Sequence, residues 1–119
     1  NIEIVLIDDS PEDTELAIRA LEKFRLANKL HCFKDASKAF DFLLSKATNN
    51  NEAANSMLIL LDLKMPRMSG LEFIRTMKSN ELTKNIAIVI LTSSVDLPDI
   101  KESLKLGVKS YIPKPIYFV

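Results

Sequence analysis

The chain has 119 residues, with 16 basic and 16 acidic side chains and a formal net charge of zero at pH 7. Balanced charge provides no long-range attraction to nucleic acid or to an anionic membrane, so we expect neither as a partner. The single cysteine, Cys32, excludes an internal disulfide framework, and no apolar run approaches the length of a membrane span. These features are typical of a cytoplasmic protein that folds as one domain over residues 1–119.

The first half of the chain predicts two strands, each followed by a helix. Residues 2–7 are mostly apolar and predict a strand, after which Ser10 caps a helix. A short strand follows at residues 29–33, and Asp35 caps the second helix. The residues expected to face inward on these helices are Ala17, Ala20, Leu21 and Phe24, and then Ala36, Ala39, Phe40 and Leu43.

The second half begins with a polar segment, residues 45–56, which predicts an exposed surface loop. Residues 57–62 are apolar up to a final aspartate, a pattern typical of a strand buried on both faces. Ser69 has capping-box spacing and begins a third helix, and further strands are predicted at residues 86–91 and 108–112. The expected inward-facing residues are Leu71, Ile74 and Met77 on the third helix, and Leu97, Ile100 and Leu104 on a fourth helix that begins near Asp96 and ends at Gly107.

This alternation of strands and helices predicts a parallel sheet with helices on both faces. In open sheets of this kind, ligands bind outside the carboxyl ends of the strands. Five polar residues fall at such ends, and we expect them to meet at one edge of the sheet: Asp8, Asp9, Asp62, Thr92 and Lys114.

The three aspartates of this set indicate a metal site that serves phosphoryl chemistry. Carboxylates held close together repel one another unless a cation lies among them, and oxygen ligands suit Mg²⁺ or Mn²⁺. A carboxylate such as Asp62 is ionised at neutral pH, so it can attack phosphorus without a general base. Lys114 and the metal would neutralise the phosphoryl oxygens, and the Thr92 hydroxyl would donate a hydrogen bond.

Four motifs in this order resemble the receiver domain of two-component response regulators over residues 2–115. They are Asp8-Asp9, Asp62-Leu63-Lys64-Met65-Pro66 with Gly70, Leu91-Thr92-Ser93, and Tyr111 with Lys114-Pro115. The resemblance implies a flavodoxin-like, doubly wound sheet of five parallel strands in the order 2-1-3-4-5. The long polar loop and the run Thr92-Ser93-Ser94 also resemble the single-domain regulators that partner bacterial phytochromes.

The resemblance implies a signalling switch in which a histidine kinase or a phosphotransfer protein phosphorylates Asp62. The metal ligands would be Asp8, Asp9, Asp62 and the backbone carbonyl of Lys64, and Lys114 would pair with the phosphoryl group. Thr92 and Tyr111 would change conformation on phosphorylation, and Lys64 and Ser94 would tune the lifetime of the phosphoryl group. The implied chemistry is self-phosphorylation and slow autodephosphorylation, not enzymatic turnover.

Two features depart from the receiver pattern. Receivers have a fifth helix after the lysine-proline pair, but only four residues follow Pro115 here, so we expect that helix to be missing from this chain. Its absence would expose apolar surface near the fourth helix and the last strand, a face that many receivers use to form a homodimer. Pro113 removes a strand N–H, which predicts that the last strand lies at an edge of the sheet.

Other interpretations make different demands on the same residues. Phosphotransferases of the haloacid dehalogenase type have an Asp-x-Asp motif at the nucleophile, whereas this chain has Lys64 at the position of the second aspartate. A nucleotide-binding module would need a glycine-rich phosphate loop, and a pseudo-receiver scaffold normally lacks one or more of the acidic residues. We interpret His31 as an ordinary strand residue and Cys32 as a small core residue, and the alternative for Tyr111 is a permanently packed aromatic.

Overall fold

The computed structural model describes residues 2–23, 29–50, 52–65, 67–92 and 97–114. In this part of the chain five strands alternate with four α-helices. The strands are β1 (Glu3–Ile7), β2 (Lys29–Phe33), β3 (Met57–Asp62), β4 (Ala87–Thr92) and β5 (Ser110–Pro113). The helices are α1 (Pro11–Lys23), α2 (Ala36–Asn49), α3 (Gly70–Ser79) and α4 (Leu97–Lys105). None of the described helices has both the length and the apolar character needed to cross a membrane.

The strands form one parallel sheet in the order β2-β1-β3-β4-β5, which confirms the predicted fold class. β3 is the central strand, and its two neighbours hold it in register through the pairs Ile7↔Leu61 and Asp62↔Leu91. β5 is an edge strand, so the missing N–H of Pro113 leaves no ladder hydrogen bond broken on its open side.

Apolar layers cover both faces of the sheet, which explains why the central strands are apolar at nearly every position. On one face, alternate residues of the strands pack against α2 and α3, and these residues are Val5, Ile7, Ile59, Leu61, Ile88 and Ile90. On the other face, the intervening residues pack against Ala17 and Leu21 of α1, and they are Ile4, Leu6, Leu60 and Leu91. The fully buried Phe73 of α3 joins the first layer, although its position was not among the predicted inward residues.

The predicted helix starts are confirmed by their caps. Ser10 Oγ accepts a hydrogen bond from the backbone N–H of Asp13 at 3.3 Å, and Asp35 accepts one from the N–H of Ser37 at 2.9 Å. Ser69 Oγ accepts from the N–H of Glu72 at 3.2 Å. Each bond satisfies an N–H that lacks a partner within its helix, so short-range sequence signals set where these helices begin.

The predicted loop at residues 45–56 is wrong in its first part, because α2 continues to Asn49. Ala47 follows Leu43 by one helical turn, and it is buried with it, so the apolar stripe extends further than the polar composition indicated. The N–H of Asn50 then caps the helix by donating to the Lys46 carbonyl at 3.0 Å. A short 3₁₀ turn, Ala53–Ser56, leads into β3.

The predicted inward face of α4 is wrong at two of its three residues. Leu97 and Leu104 are exposed, and only Ile100 is buried. Ser103 takes the second buried position, since its hydroxyl donates to the Asp99 carbonyl one turn earlier at 2.8 Å and therefore needs no solvent. The helix is rotated relative to the leucine pattern, which leaves two leucines facing solvent.

Several other expectations differ in detail or lie outside the described residues. Cys32 is exposed and not a core residue, because β2 is an edge strand. The strands β1, β4 and β5 begin one or two residues later than predicted, and Gly107 ends the α4 region with φ 102° as expected. The expectations for Phe24, Pro66, Ser93-Ser94, Asp96 and the missing fifth helix at residues 115–119 concern residues outside the described part of the chain.

Gly70 brings the start of α3 against the loop that follows Asp62. Its N–H donates to the Leu63 carbonyl at 3.1 Å, and a Cβ at this position would lie 2.6 Å from Leu63 Cα and 3.0 Å from the Asp62 carbonyl oxygen. Both atoms belong to the backbone, so a side chain here would displace the loop that carries the end of β3.

We therefore expect Gly70→Ala to lower the free energy of unfolding by about 1–3 kcal/mol, because the added methyl group overpacks a rigid contact. Urea denaturation measures this loss. Gly107→Asn is the matched control, since it replaces a glycine at positive φ where no backbone atom obstructs a Cβ and asparagine tolerates that conformation. A Gly70→Ala protein within about 0.5 kcal/mol of the wild type would contradict this account.

Candidate functional site

The candidate site lies at the carboxyl edge of the three central strands. Asp8 directly follows β1, Asp62 is the last residue of β3 and Thr92 is the last residue of β4. Because these strands are parallel and adjacent, their carboxyl ends meet at one edge of the sheet. Lys114 directly follows β5 and brings a cation to the same edge.

Three carboxylates converge at this edge. Asp8, Asp9 and Asp62 each offer an oxygen atom, and these atoms all lie within 4.8 Å of one another. Asp8 is 1% exposed and Asp62 is 7% exposed, whereas Asp9 is the most accessible of the three. Two of the three negative charges are therefore largely removed from water, so the repulsion between them is only weakly screened.

The Lys114 ammonium lies among these carboxylates, with only 5% of its side chain exposed. Its Nζ is 2.6 Å from Asp8 Oδ2 and 3.5 Å from Asp62 Oδ2. Burial by itself would lower the pKa of Lys114, but the close contact with Asp8 and the hydrogen bond to Asp13 outweigh burial and raise the pKa above its usual value. Lys114 therefore remains charged and supplies a buried cation at this edge.

Burial raises the pKa of Asp62 to about 6, and the charges of Asp8 and Asp9 add to the increase. Lys114 and the backbone N–H of Lys64, which donates to Asp62 Oδ1 at 3.2 Å, lower the pKa without cancelling the effect of burial. One lysine thus compensates only part of the negative charge at this edge.

The residues at this edge fit a hard divalent cation. The donor atoms are carboxylate oxygens, and no histidine or cysteine among the described residues joins the group. Asp8 Oδ2 is buried with Lys114 as its ion-pair partner but without a well-aligned hydrogen bond, so it retains acceptor capacity. A divalent ion would also relieve the repulsion that raises the pKa of Asp62.

Comparison with known proteins identifies the family. A family model described as the response regulator receiver domain matches residues 4–118. This chain belongs to the response regulator receiver family. The receiver is the response-regulator half of two-component signalling, and receivers interact with histidine kinases or phosphotransfer proteins.

This receiver resembles regulators associated with phytochromes, as the sequence motifs suggested. Response regulator Rcp1 of Synechocystis sp. is 32% identical over 93% of this chain and 75% of its own length. Its Mn²⁺-bound structure superposes with a TM-score of 0.74 at 31% identity, over 99% of this chain and 84% of that one. The bacteriophytochrome response regulator AtBRR has a TM-score of 0.80 at 37% identity, over 98% and 84% of the two chains. The phosphorylated cyanobacterial phytochrome response regulator RcpA has a TM-score of 0.78 at 32% identity, over 96% and 81%.

The structure brings together four of the predicted site residues and leaves others apart. Asp8, Asp9, Asp62 and Lys114 form one cluster, as expected. Tyr111 is 44% exposed on β5, which excludes the alternative of a permanently packed aromatic. The backbone of Thr92 ends β4 opposite Pro113, while its side chain and the whole of Ser94 lie outside the described part of the receiver. Lys64 is exposed, two residues after Asp62.

Asp13 is a site residue that the sequence analysis missed. Lys114 Nζ donates a hydrogen bond to Asp13 Oδ2 at 3.1 Å. By sequence alone, Asp13 is one of two acids in the first turn of α1, where carboxylates interact favourably with the helix dipole. A signal was present, since Asp13 precedes the buried Ala17 by four residues and so shares the sheet-facing stripe of the helix.

His31 lies away from this cluster, near the start of β1. Its Nε2 is 3.4 Å from Glu3 Oε2, and its ring centroid is 4.7 Å from that of Phe42 on α2. Among the described residues, no group of three metal-ligating side chains includes His31. These contacts agree with its interpretation as an ordinary strand residue.

The raised pKa of Asp62 predicts a pH-dependent effect of removing its charge. The folded pKa of about 6 lies above the ordinary aspartate value of 3.8, so the stability that Asp62 contributes is fully present below about pH 4 and is lost as the pH rises through 6. We expect Asp62→Asn, in EDTA, to match the wild type at about pH 4 and to gain about 1–3 kcal/mol at about pH 7.5.

Urea denaturation at the two pH values measures this gain. Asp41→Asn is the matched control, because Asp41 is an exposed carboxylate on α2 that faces solvent. That variant should show no gain that grows with pH. If Asp62→Asn were no more stable than the wild type at the higher pH, the electrostatic repulsion described here would be wrong.

Proposed function

We propose that this receiver is a phosphorylation-dependent signalling switch whose phosphoacceptor is Asp62. The observation that carries the proposal is the position of Asp62: at the end of the central strand, 3.5 Å from the Lys114 ammonium and beside two further carboxylates. A carboxylate that lies close to a buried ammonium and to two acidic side chains able to hold a metal is suited to hold a phosphoryl group.

The reaction transfers phosphorus from nitrogen to oxygen. A carboxylate oxygen of Asp62 attacks the phosphorus of a phosphohistidine, a P–O bond forms and the P–N bond breaks, and the imidazole takes up a proton as it leaves. No general base is needed above the Asp62 pKa of about 6, because the carboxylate is then ionised. Lys114, whose side chain is 5% exposed, would stabilise the negative charge of the phosphoryl oxygens.

A divalent cation completes the charge balance in this proposal. Asp8, Asp9, Asp62 and the backbone carbonyl of Lys64 would hold Mg²⁺ or Mn²⁺, and the Mn²⁺-bound form of the relative Rcp1 supports the choice of ion class. When bound, the cation neutralises charge on the phosphoryl oxygens. Asp9 is accessible from solvent, which gives the ion a route of entry.

The phosphoryl signal would be transmitted through Thr92 and Tyr111. Thr92 lies one residue beyond the partner of Asp62 in β4, and Tyr111 lies on the adjoining strand β5. The ring of Tyr111, which is 44% exposed, would turn inward when the threonine moves toward the phosphoryl group. The existence of a phosphorylated structure of the relative RcpA supports a phosphorylated state for this fold.

We also propose that the 119 residues act as one cytoplasmic receiver domain without a nucleic-acid or membrane partner. The upstream partner would be a histidine kinase or a phosphotransfer protein. A homodimer would form through the face near α4 and β5, where four large apolar side chains are exposed. They are Leu97, Leu104, Tyr111 and Ile112.

An enzymatic alternative is less well supported. A phosphotransferase of the haloacid dehalogenase type uses a second acid two residues after its nucleophile, where this chain has the exposed Lys64. Without that acid, the phosphoryl group would be held and slowly lost by autodephosphorylation. Repeated turnover of a small phosphate ester would favour the enzyme instead.

The proposal predicts that acetyl phosphate with Mg²⁺ adds one phosphate-sized mass to the wild type and none to Asp62→Asn. Intact-mass spectrometry measures the addition, and EDTA or Asp9→Asn should strongly reduce it because the cation is then lost. Sedimentation of the same samples tests the homodimer. Equal phosphorylation of Asp62→Asn would place the acceptor elsewhere, and no phosphorylation of either protein would favour the scaffold.

A second prediction concerns how long the phosphoryl group lasts. We propose that the cationic Lys64 slows hydrolysis by contacting the phosphoryl oxygens or obstructing the attacking water. Lys64→Asn should then lose phosphate about threefold faster, which corresponds to a hydrolysis barrier lower by somewhat under about 1 kcal/mol. Lys64→Arg keeps the charge and is the control. An unchanged or slower loss in Lys64→Asn would exclude this role.

A further inference from the structure

A hydrogen bond between residues that are far apart in the sequence joins Asp13 to the proposed phosphorylation site. Its Oδ2 accepts a hydrogen bond from Lys114 Nζ at 3.1 Å, and the two residues are 101 positions apart in sequence. The side chain of Asp13 is 33% exposed, whereas that of Lys114 is 5% exposed. The acid thus reaches the buried ammonium from the solvent side.

The β1–α1 turn fixes Asp13 in this position. The backbone N–H of Ser10 donates to Asp8 Oδ1 at 2.9 Å, and Ser10 Oγ accepts from the backbone N–H of Asp13 at 3.3 Å. One serine therefore links the loop that carries Asp8 to the first turn of α1. Ala17, one turn further on, is buried against the sheet, so the Asp13 side of the helix faces the site.

Three carboxylates compete for one ammonium group. Lys114 Nζ is 2.6 Å from Asp8, 3.1 Å from Asp13 and 3.5 Å from Asp62. Asp13 is not a member of the cluster of Asp8, Asp9 and Asp62, so a bound cation would share the charge of Asp8 but not that of Asp13. Asp13 then remains as a partner of Lys114 whose charge the cation does not neutralise.

We propose that Asp13 is a positioning residue that holds Lys114 in the unphosphorylated arrangement and so weakens the site's affinity for a phosphoryl group. This inference rests on the proposed function, because it concerns the phosphoryl group on Asp62. A phosphoryl group needs the Lys114 ammonium for its own oxygens, so every hydrogen bond that Lys114 keeps with Asp13 opposes it. Asp13 and the phosphoryl group are thus linked through Lys114, and the interaction of Lys114 with either one lowers its affinity for the other.

The test measures binding of beryllofluoride, a phosphoryl mimic, at saturating Mg²⁺ by ¹⁹F NMR. Asp13→Asn should lower the concentration for half-saturation about fivefold, the effect of one charge-assisted hydrogen bond reduced by partial exposure. The same substitution should lower the thermal midpoint without beryllofluoride, because Lys114 loses a partner. A purely structural role would weaken both the binding and the stability.

Two further variants make the test specific. Glu12→Gln removes an exposed carboxylate from the same first turn of α1 and should leave beryllofluoride binding unchanged. Asp13→Glu keeps the charge and should restore binding close to that of the wild type. Unchanged or weaker binding by Asp13→Asn overturns the inference, as does an equal gain in Glu12→Gln. If the wild type binds no more beryllofluoride than Asp62→Asn, the proposed function itself fails.

Discussion

The ion pair between Lys114 and Asp8 is the interaction on which the rest of the site depends. Both side chains are almost fully buried and their charged atoms are 2.6 Å apart. A buried charge without a partner is strongly destabilising, so each residue requires the other. Asp8 follows β1 and Lys114 follows β5, and β3 and β4 lie between these two strands in the sheet. The ion pair therefore depends on the intervening strands being paired in register.

The parallel sheet makes such an arrangement possible. Its central strands are buried on both faces and leave no room for polar side chains along their length. Polar groups are therefore confined to the strand ends, and in a parallel sheet those ends lie together. The tight approach of Gly70 to the loop after Asp62 holds the carboxyl end of β3 against α3. Rigid packing thus supports a site that is electrostatically unfavourable in itself.

Much of this could be read from the sequence, and the failures have physical causes. The alternation of elements and the grouping of Asp8, Asp62 and Lys114 follow from short-range patterns combined with one rule for parallel sheets. The orientation of α4 could not be predicted in this way. The Ser103 hydroxyl donates a hydrogen bond within the helix, so Ser103 can occupy a buried position that the pattern assigned to leucine. The contact of Asp13 with Lys114 was not predicted, because Asp13 lies on α1 and the rule for parallel sheets identifies only residues at strand ends.

The surplus of negative charge explains how one site can serve as a switch. Burial and the neighbouring carboxylates raise the pKa of Asp62 to about 6, so its ionised form is held at a cost in free energy. A cation among the carboxylates lowers this cost, whereas a phosphoryl group on Asp62 increases the demand on Lys114. The three N–H donors of Lys114 are shared among Asp8, Asp13 and Asp62, so phosphoryl oxygens on Asp62 would compete with the other two carboxylates for them. In the proposed phosphorylated state, one buried lysine would therefore link the chemistry at the end of β3 to the first turn of α1.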